Sequence, residues 1–494
     1  MNGALHGAGC DKNPLTRNGW LRLLRAGAGA FLLAMAGTLL AGPCEEGRRH
    51  YAEKDYEKAF ALTLQAANEG DKRAQTAVGL MYEIGQGTSR DAGSALQWYR
   101  KAADQDFPLA LFKLGEAHEL GIGVAQDYDE AIRWYRKAAG GGYIPAALTL
   151  AAYYHEGKNG IARDDSEAAK WFEQAAEKGH AAAQYMLATF YEKGEGVRKN
   201  DKLAAQWYEK AASQKHPQAA YAIGLMYLEG RGVEQQNSET AFEYLQFAAG
   251  KAVVQAWYEL GMIYLTGNGT RADLDEAVKW LEKSAGDGSA RAQYALGDLY
   301  SEGRGVKKDM AVAVAWYEKS AKQGYAFAES RLGLIYAQGA GVGKDPLQAV
   351  YWIRKAAERG EVTAQYNLGT MYSKGEGEGL DYAEAAKWFG KASEQGHAVA
   401  QYNLAWLYGN GRGVKFDPDR SLYWMKVSGN QGNRDAQYTL GLMYETGWNV
   451  EKDAKEALRW YTLAAGQGDA EAQRRIDNLP EEEKRPPPQQ SEGE

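Results

Sequence analysis

Cysteine is all but missing from this chain of 494 residues: only Cys10 and Cys44 occur, both near its start. That excludes a disulfide framework and a thiolate zinc site. Proline is scarce too, at 11 residues against 59 glycines, a balance that fits short helices joined by tight turns. Nor is there an excess of positive charge. Residues 1–43 carry net +3 and the remainder net −10, so the body of the chain lacks the basic footprint that phosphates need, and nucleic acid is not an expected partner. The uncharged apolar run 26–42 follows four cationic side chains and precedes Pro43 and Cys44. Basic segment, apolar run and small residues (Ala34-Met35-Ala36) are the layout of a signal peptide, with a retained anchor as the alternative, since 17 residues lie at the short limit for a span. The expected location is the periplasm or the extracellular space, or an inner-membrane anchorage with the rest of the chain outside the cytoplasm. Membrane contact is then made only by the uncleaved segment. Pro43 directly before Cys44 argues against lipidation.

What is abundant is one unit, written repeatedly. A small residue recurs at Gly79, Gly115, Ala151, Ala188, Gly224, Gly261, Gly297, Gly333, Gly369, Ala405 and Gly441. A large aromatic recurs in phase with it at Trp98, Trp134, Trp171, Trp207, Tyr244, Trp280, Trp316, Trp352, Trp388, Trp424 and Trp460. Each unit of about 36 residues reads as two antiparallel helices, A and B. With Ala292 as position 0 of helix A, small or apolar residues fall at 0, 4, 5, 7 and 8, one helical face. Minimal volume at position 5 implies close approach of a neighbouring helix. A glycine such as Gly303 ends helix A, and a Gly-x-Gly-Val connection follows. Helix B opens at Asp91, Asp127, Asp164, Asp201, Asn237, Asp273, Asp309, Asp345, Asp381, Asp417 or Asp453. Glu130, Glu276, Glu384 and Glu456 stand three residues on from four of these, predicting reciprocal capping boxes. Along helix B, the tryptophan ladder faces small residues such as Ala313, Ser320 and Ala321, so the indole is expected to wedge between helices and Trp316 to be buried.

These units resemble the Sel-1-like repeat family, relatives of the tetratricopeptides; Ala183–Gly194 and Asp201–Ala212 match its pattern nearly residue for residue. The implied fold is an all-α, right-handed α/α superhelical solenoid of about eleven helix-hairpin repeats. The organisation expected is a signal peptide or anchor over 1–43, a capping half-repeat over 48–73, eleven repeats over 74–469, a capping helix over 470–480 with polar Arg474, Arg475 and Asp477, and a disordered acidic, proline-rich tail over 481–494.

The resemblance implies a non-enzymatic adaptor or scaffold that binds one or more proteins through its concave face, in the bacterial envelope or secreted fraction. A glycan or cell-wall-polymer module is the alternative, for which Asn367 beside Tyr366 and Asn403 beside Tyr402 fit locally. A cysteine-linked branch of the family carries a penicillin-binding or β-lactamase label. Here no repeat holds a cysteine and no serine has lysine three residues on, so a hydrolase is the weakest reading. His118-Glu119 and His155-Glu156 begin like a zincin helix, yet Ile122 and Asn159 stand where the second histidine belongs. No cofactor, metal or catalytic residue is expected.

Positions 2, 6 and 9 of helix A lie off the packing stripe. Position 2 is aromatic in Phe112, Tyr185, Tyr221, Tyr258, Tyr294, Tyr366, Tyr402 and Tyr438. Positions 6 and 9 are apolar in Leu225, Leu228, Met262 and Leu265, where other units place Glu116, Glu83, Glu119 or Glu192. The partner-binding candidates are therefore Tyr221, Leu225, Leu228, Tyr258, Met262, Leu265, Tyr294 and Trp406.

Overall fold

The computed structural model of the chain describes residues 45–158 and 160–478; the leader, both cysteines and the tail 481–494 lie outside them. Among the described residues every regular element is a helix, most of 13 residues, and the fold is a solenoid of helical hairpins. Two compact units divide the chain at Val253/Val254.

The first unit contains α1 (Glu45–Ala52) and α2 (Tyr56–Asn68), followed by the hairpins α3 (Lys72–Ile84) with α4 (Ala92–Ala103), α5 (Pro108–Leu120) with α6 (Tyr128–Gly140), α7 (Ile144–Glu156) with α8 (Asp165–Glu177), α9 (Ala181–Lys193) with α10 (Asp201–Ser213), and α11 (Pro217–Glu229) with α12 (Ser238–Gly250). The second contains α13 (Val254–Thr266) with α14 (Leu274–Gly286), α15 (Ala290–Glu302) with α16 (Met310–Lys322), α17 (Ala326–Gln338) with α18 (Pro346–Glu358), α19 (Val362–Lys374) with α20 (Tyr382–Glu394), α21 (Ala398–Asn410) with α22 (Pro418–Asn430), and α23 (Arg434–Thr446) with α24 (Ala454–Gly466), closed by α25 (Ala470–Asn478).

Turn chemistry sets the hairpins. Helix A stops at a left-handed glycine such as Gly303 (φ 77°), whose N–H donates to the Leu299 carbonyl. The second glycine of the connection has a different task. At Gly413 (φ 69°) a Cβ would lie 2.1 Å from the Tyr382 carbonyl carbon, so only glycine lets this loop rest on the first turn of the preceding helix B. In the final repeat Asn449 (φ 60°) takes that place and donates to the Gly409 carbonyl.

The caps differ from expectation in two ways. Asn200, not Asp201, caps α10, accepting from the Leu203 N–H. The capping boxes are also only half made. Asp273 accepts from Glu276 N–H, but its own N–H is already taken by the Tyr264 carbonyl. The Glu276 carboxylate turns instead to the Trp280 indole N–H at 3.0 Å, as Glu384 does to Trp388 and Glu456 to Trp460.

The wedge expected of the tryptophan ladder belongs to the residue after it. Trp316 is half-buried, whereas Tyr317 is fully enclosed, and Trp388 and Trp460 are the buried indoles of the ladder. A Cβ on Gly297 would sit 2.5 Å from the Tyr317 ring; the same closeness joins Gly115 to Tyr135, Gly369 to Phe389 and Gly441 to Tyr461. Position 5 is thus small because a large side chain of its own hairpin, most often a ring, packs against the backbone there. Most indoles instead carry a lysine three residues on, as Lys319 lies 4.0 Å from the Trp316 ring centroid and Lys101 3.8 Å from that of Trp98.

Neighbouring hairpins are joined by a buried glutamine at position 1. The Gln293 amide donates to the Ala285 carbonyl at 3.1 Å and accepts from Gln323 at 2.7 Å. Gln184, Gln365, Gln401 and Gln437 repeat this with Gln214, Gln395, Gln431 and Gln467. Where Glu329 replaces the glutamine, Arg359 replaces its partner, at 3.0 Å.

Candidate protein-docking site

The eight candidate residues are all half-buried, and each belongs to one unit or the other. In the first unit Tyr221, Leu225 and Leu228 lie along α11. In the second, Tyr258, Met262 and Leu265 on α13 lean on a core built from Leu281, Leu296 and Leu299. Position 2 is therefore partly packing. Tyr294 lies 5.7 Å from the buried Tyr317 ring, and Tyr366 stacks 4.5 Å from His397 at the start of the next helix A. Trp406, on α21, has the Arg412 guanidinium 5.0 Å from its ring and belongs to the rim of a separate core cluster.

Within the second unit, α13, α15 and α17 combine these rings with groups that the sequence reading passed over. Arg291 lies 4.2 Å over the Tyr258 ring and pairs with Glu259 at 3.2 Å. Arg331 pairs with Asp298 at 3.3 Å, and Asp298 also accepts from the Tyr317 hydroxyl at 2.6 Å. Tyr325, at the N-cap of α17, and Phe327 pack 5.5 Å apart, and each reaches the Tyr294 ring. Phe327 is 44% exposed, and Arg291 and Arg331 keep roughly half of their side chains in water. Burial pushes the Tyr325 phenol up to about 12, with Tyr258 adding to the rise, so this hydroxyl remains a donor at neutral pH. The sequence signal was weak. Arg291 and Phe327 stand one residue before position 0, outside the period that marks the packing face, and Tyr325 fills a slot held elsewhere by His180, His216, Ser289 or His397.

The zincin-like histidines do not assemble a metal centre: His155 Nδ1 lies 2.7 Å from Asp165, and no group of three His, Cys, Asp or Glu that could hold a metal occurs among the described residues. Among those residues no helix is long and apolar enough to cross a membrane.

Helical hairpins of one length, held by repeated caps and glycine–ring contacts, define the class as a helical-repeat solenoid. The chain belongs to the Sel1 repeat family, whose profile matches residues 38–71, 72–107, 108–143, 144–180, 181–216, 217–251, 254–289, 290–325, 326–361, 362–397, 398–433 and 434–469. It is similar to c5321, a protective antigen of uropathogenic Escherichia coli strains displaying an SLR fold, at 34% identity over 86% of this chain and 91% of that one, with a TM-score of 0.63. A Sel1 repeat protein from Oxalobacter formigenes is 32% identical over 63% of this chain and 90% of its own, with a TM-score of 0.53. The chitin synthase regulator SKT5 of Saccharomyces cerevisiae is 44% identical over 62 residues, which cover 13% of this chain and 9% of that protein. The chain thus matches under a tenth of the length of this curated relative.

Proposed function

We propose that the chain is a protein-binding adaptor whose docking surface is the helix-A side of α13, α15 and α17. The observation that carries this reading is the company of Tyr258, Tyr294, Tyr325 and Phe327 with Arg291 and Arg331. Tyrosine and arginine dominate the few residues that supply most of the energy in protein interfaces. The arginines are held in place by Glu259, Asp298 and the tyrosine rings, so little side-chain freedom is lost on binding. Leu225 and Leu228 in the first unit offer a second apolar contact of the same helix-A type. The name of the yeast relative, a regulator of an enzyme, supports a role that acts on another protein. Placement of the repeats in the envelope or outside the cell is part of the proposal; it rests on the layout of residues 1–43 and is supported by the protective-antigen description of the E. coli relative.

The test is retention of partner proteins from the native host by the tagged chain and by Phe327→Ser/Met262→Ser. Phe327 is 44% exposed and outside the buried core, so its replacement should leave the fold intact, and Met262→Ser should lower thermal stability by only a few degrees. Specific retention should be lost. A folded double variant that retains the same proteins as well as the parent would refute the site.

A further inference from the structure

A cavity of about 210 Å³ opens in the first unit between α3, α4 and α5. It is smaller than the ~300–1,000 Å³ usual for small-molecule sites, and has room for about one long side chain. Its walls are apolar and aromatic: Leu96, Leu109, Phe112, Ile122 and Tyr143. Its polar part is charged. Lys113, only 7% exposed, places its ammonium 2.8 Å from Glu116 and 3.6 Å from Glu83. The Glu83 carboxylate also accepts from the Tyr99 hydroxyl at 2.5 Å. Arg90, at the exposed rim, is tied by its Nε to the Glu83 backbone carbonyl at 2.9 Å.

Two carboxylates thus share one buried ammonium. Burial alone pushes a lysine down, yet Lys113 is raised, because Glu116 and Glu83 together outweigh that burial. Glu116 is raised in turn, first by its own burial, which Lys113 opposes but does not cancel, with Glu83 and Glu119 adding to the rise. A second cation brought to this place would therefore relieve both carboxylates. An acidic side chain would meet like charges, and an apolar one would strip water from Glu116 without replacing its hydrogen bonds.

We infer that this pocket receives a basic side chain, best an arginine, from a bound peptide, with its guanidinium against Glu116 and Glu83 and its stem along Phe112 and Leu109. A planar guanidinium can engage a carboxylate through two parallel hydrogen bonds, and its methylenes suit the apolar walls. The site uses residues 83–143, none of which belongs to the docking surface proposed above, so either can fail without the other.

The experiment titrates the full chain, labelled at isoleucine and leucine methyls, with N-acetyl-arginine amide, N-acetyl-leucine amide and N-acetyl-glutamate amide. The arginine probe should shift the Ile122 and Leu109 methyl resonances saturably, and at least tenfold more tightly than the other two. Glu116→Gln should weaken it at least tenfold; if that variant disturbs the methyl spectrum, Glu83→Gln serves in its place with the same expected loss. Equal or tighter binding of the leucine or glutamate probe, no shift with arginine, or unchanged arginine affinity in the folded variant would each overturn the assignment.

Discussion

At the residue scale, the pair that organises a repeat is a glycine and the large side chain facing it. Tyr317 fills the space that a Cβ on Gly297 would need, and its hydroxyl is held by Asp298. Leu245 and Leu281 fill the equivalent space beside Gly224 and Gly261. Tyr317→Ala should therefore cost about 3–5 kcal/mol, the range for losing a buried ring, and Trp316→Ala clearly less, because its indole is half-buried and its lysine contact faces water. Urea unfolding of both variants checks the order; equal losses would restore the tryptophan as the wedge. The sequence made the positions legible and misassigned the burial. Tryptophan is the more conspicuous letter in the ladder, while the residue after it varies among tyrosine, phenylalanine, leucine, isoleucine and methionine, and so hides its common role.

At the element scale, three A helices are capped by histidine. His180, His216 and His397 accept the N–H of Ala183, Ala219 and Ala400 at Nδ1, which requires the ring to be neutral there. Burial lowers all three below the ordinary histidine value, and His180 lowers His216 further. The unfolded chain therefore binds protons first as pH falls. The caps' contribution is complete above about pH 6.5 and is lost as the pH falls from there through the lower folded-state values. His180→Asn/His216→Asn keeps a capping acceptor and should flatten the stability profile below pH 6.5, as read by thermal unfolding across pH; an unchanged profile would contradict the account. The glutamine ladder makes a second prediction. Arg359→Gln alone strips the buried Glu329 carboxylate of its countercharge, at about 1–3 kcal/mol. Glu329→Gln alone costs less, because Arg359 is half in water, while the double variant recreates the Gln–Gln link of the other repeats and should recover most of the Arg359→Gln loss. A double-mutant cycle by urea unfolding shows the coupling or its absence. The ladder was present in the sequence as Gln293 and Gln323, thirty residues apart. Only the geometry shows that Gln323 donates to Gln293, which in turn donates to the Ala285 carbonyl of the preceding hairpin.

At the scale of the whole molecule, the period of the repeat determines what is buried, and in the proposed reading departures from it mark what is offered to partners. Helix count, helix ends and repeat length follow from small residues, left-handed glycines and aspartates at fixed intervals, because packing and capping tolerate few side chains. The proposed docking surface was legible only in part. Met262 and Leu265 were visible as apolar residues in usually polar slots, whereas Arg291, Tyr325 and Phe327 joined them only through the packing of α13, α15 and α17. Other exposed aromatics lie elsewhere, among them Tyr351 on α18, which is 46% exposed against 44% for Phe327. Exposure is thus matched between the two, and the helix that presents the ring is what differs. The most direct test places a photo-reactive benzoylphenylalanine at position 327 or at position 351 and illuminates the intact native host. Our account predicts a discrete covalent protein adduct from position 327, lost on adding Arg331→Ala, and none from position 351. An adduct from position 351 alone, or equally from both, would contradict it.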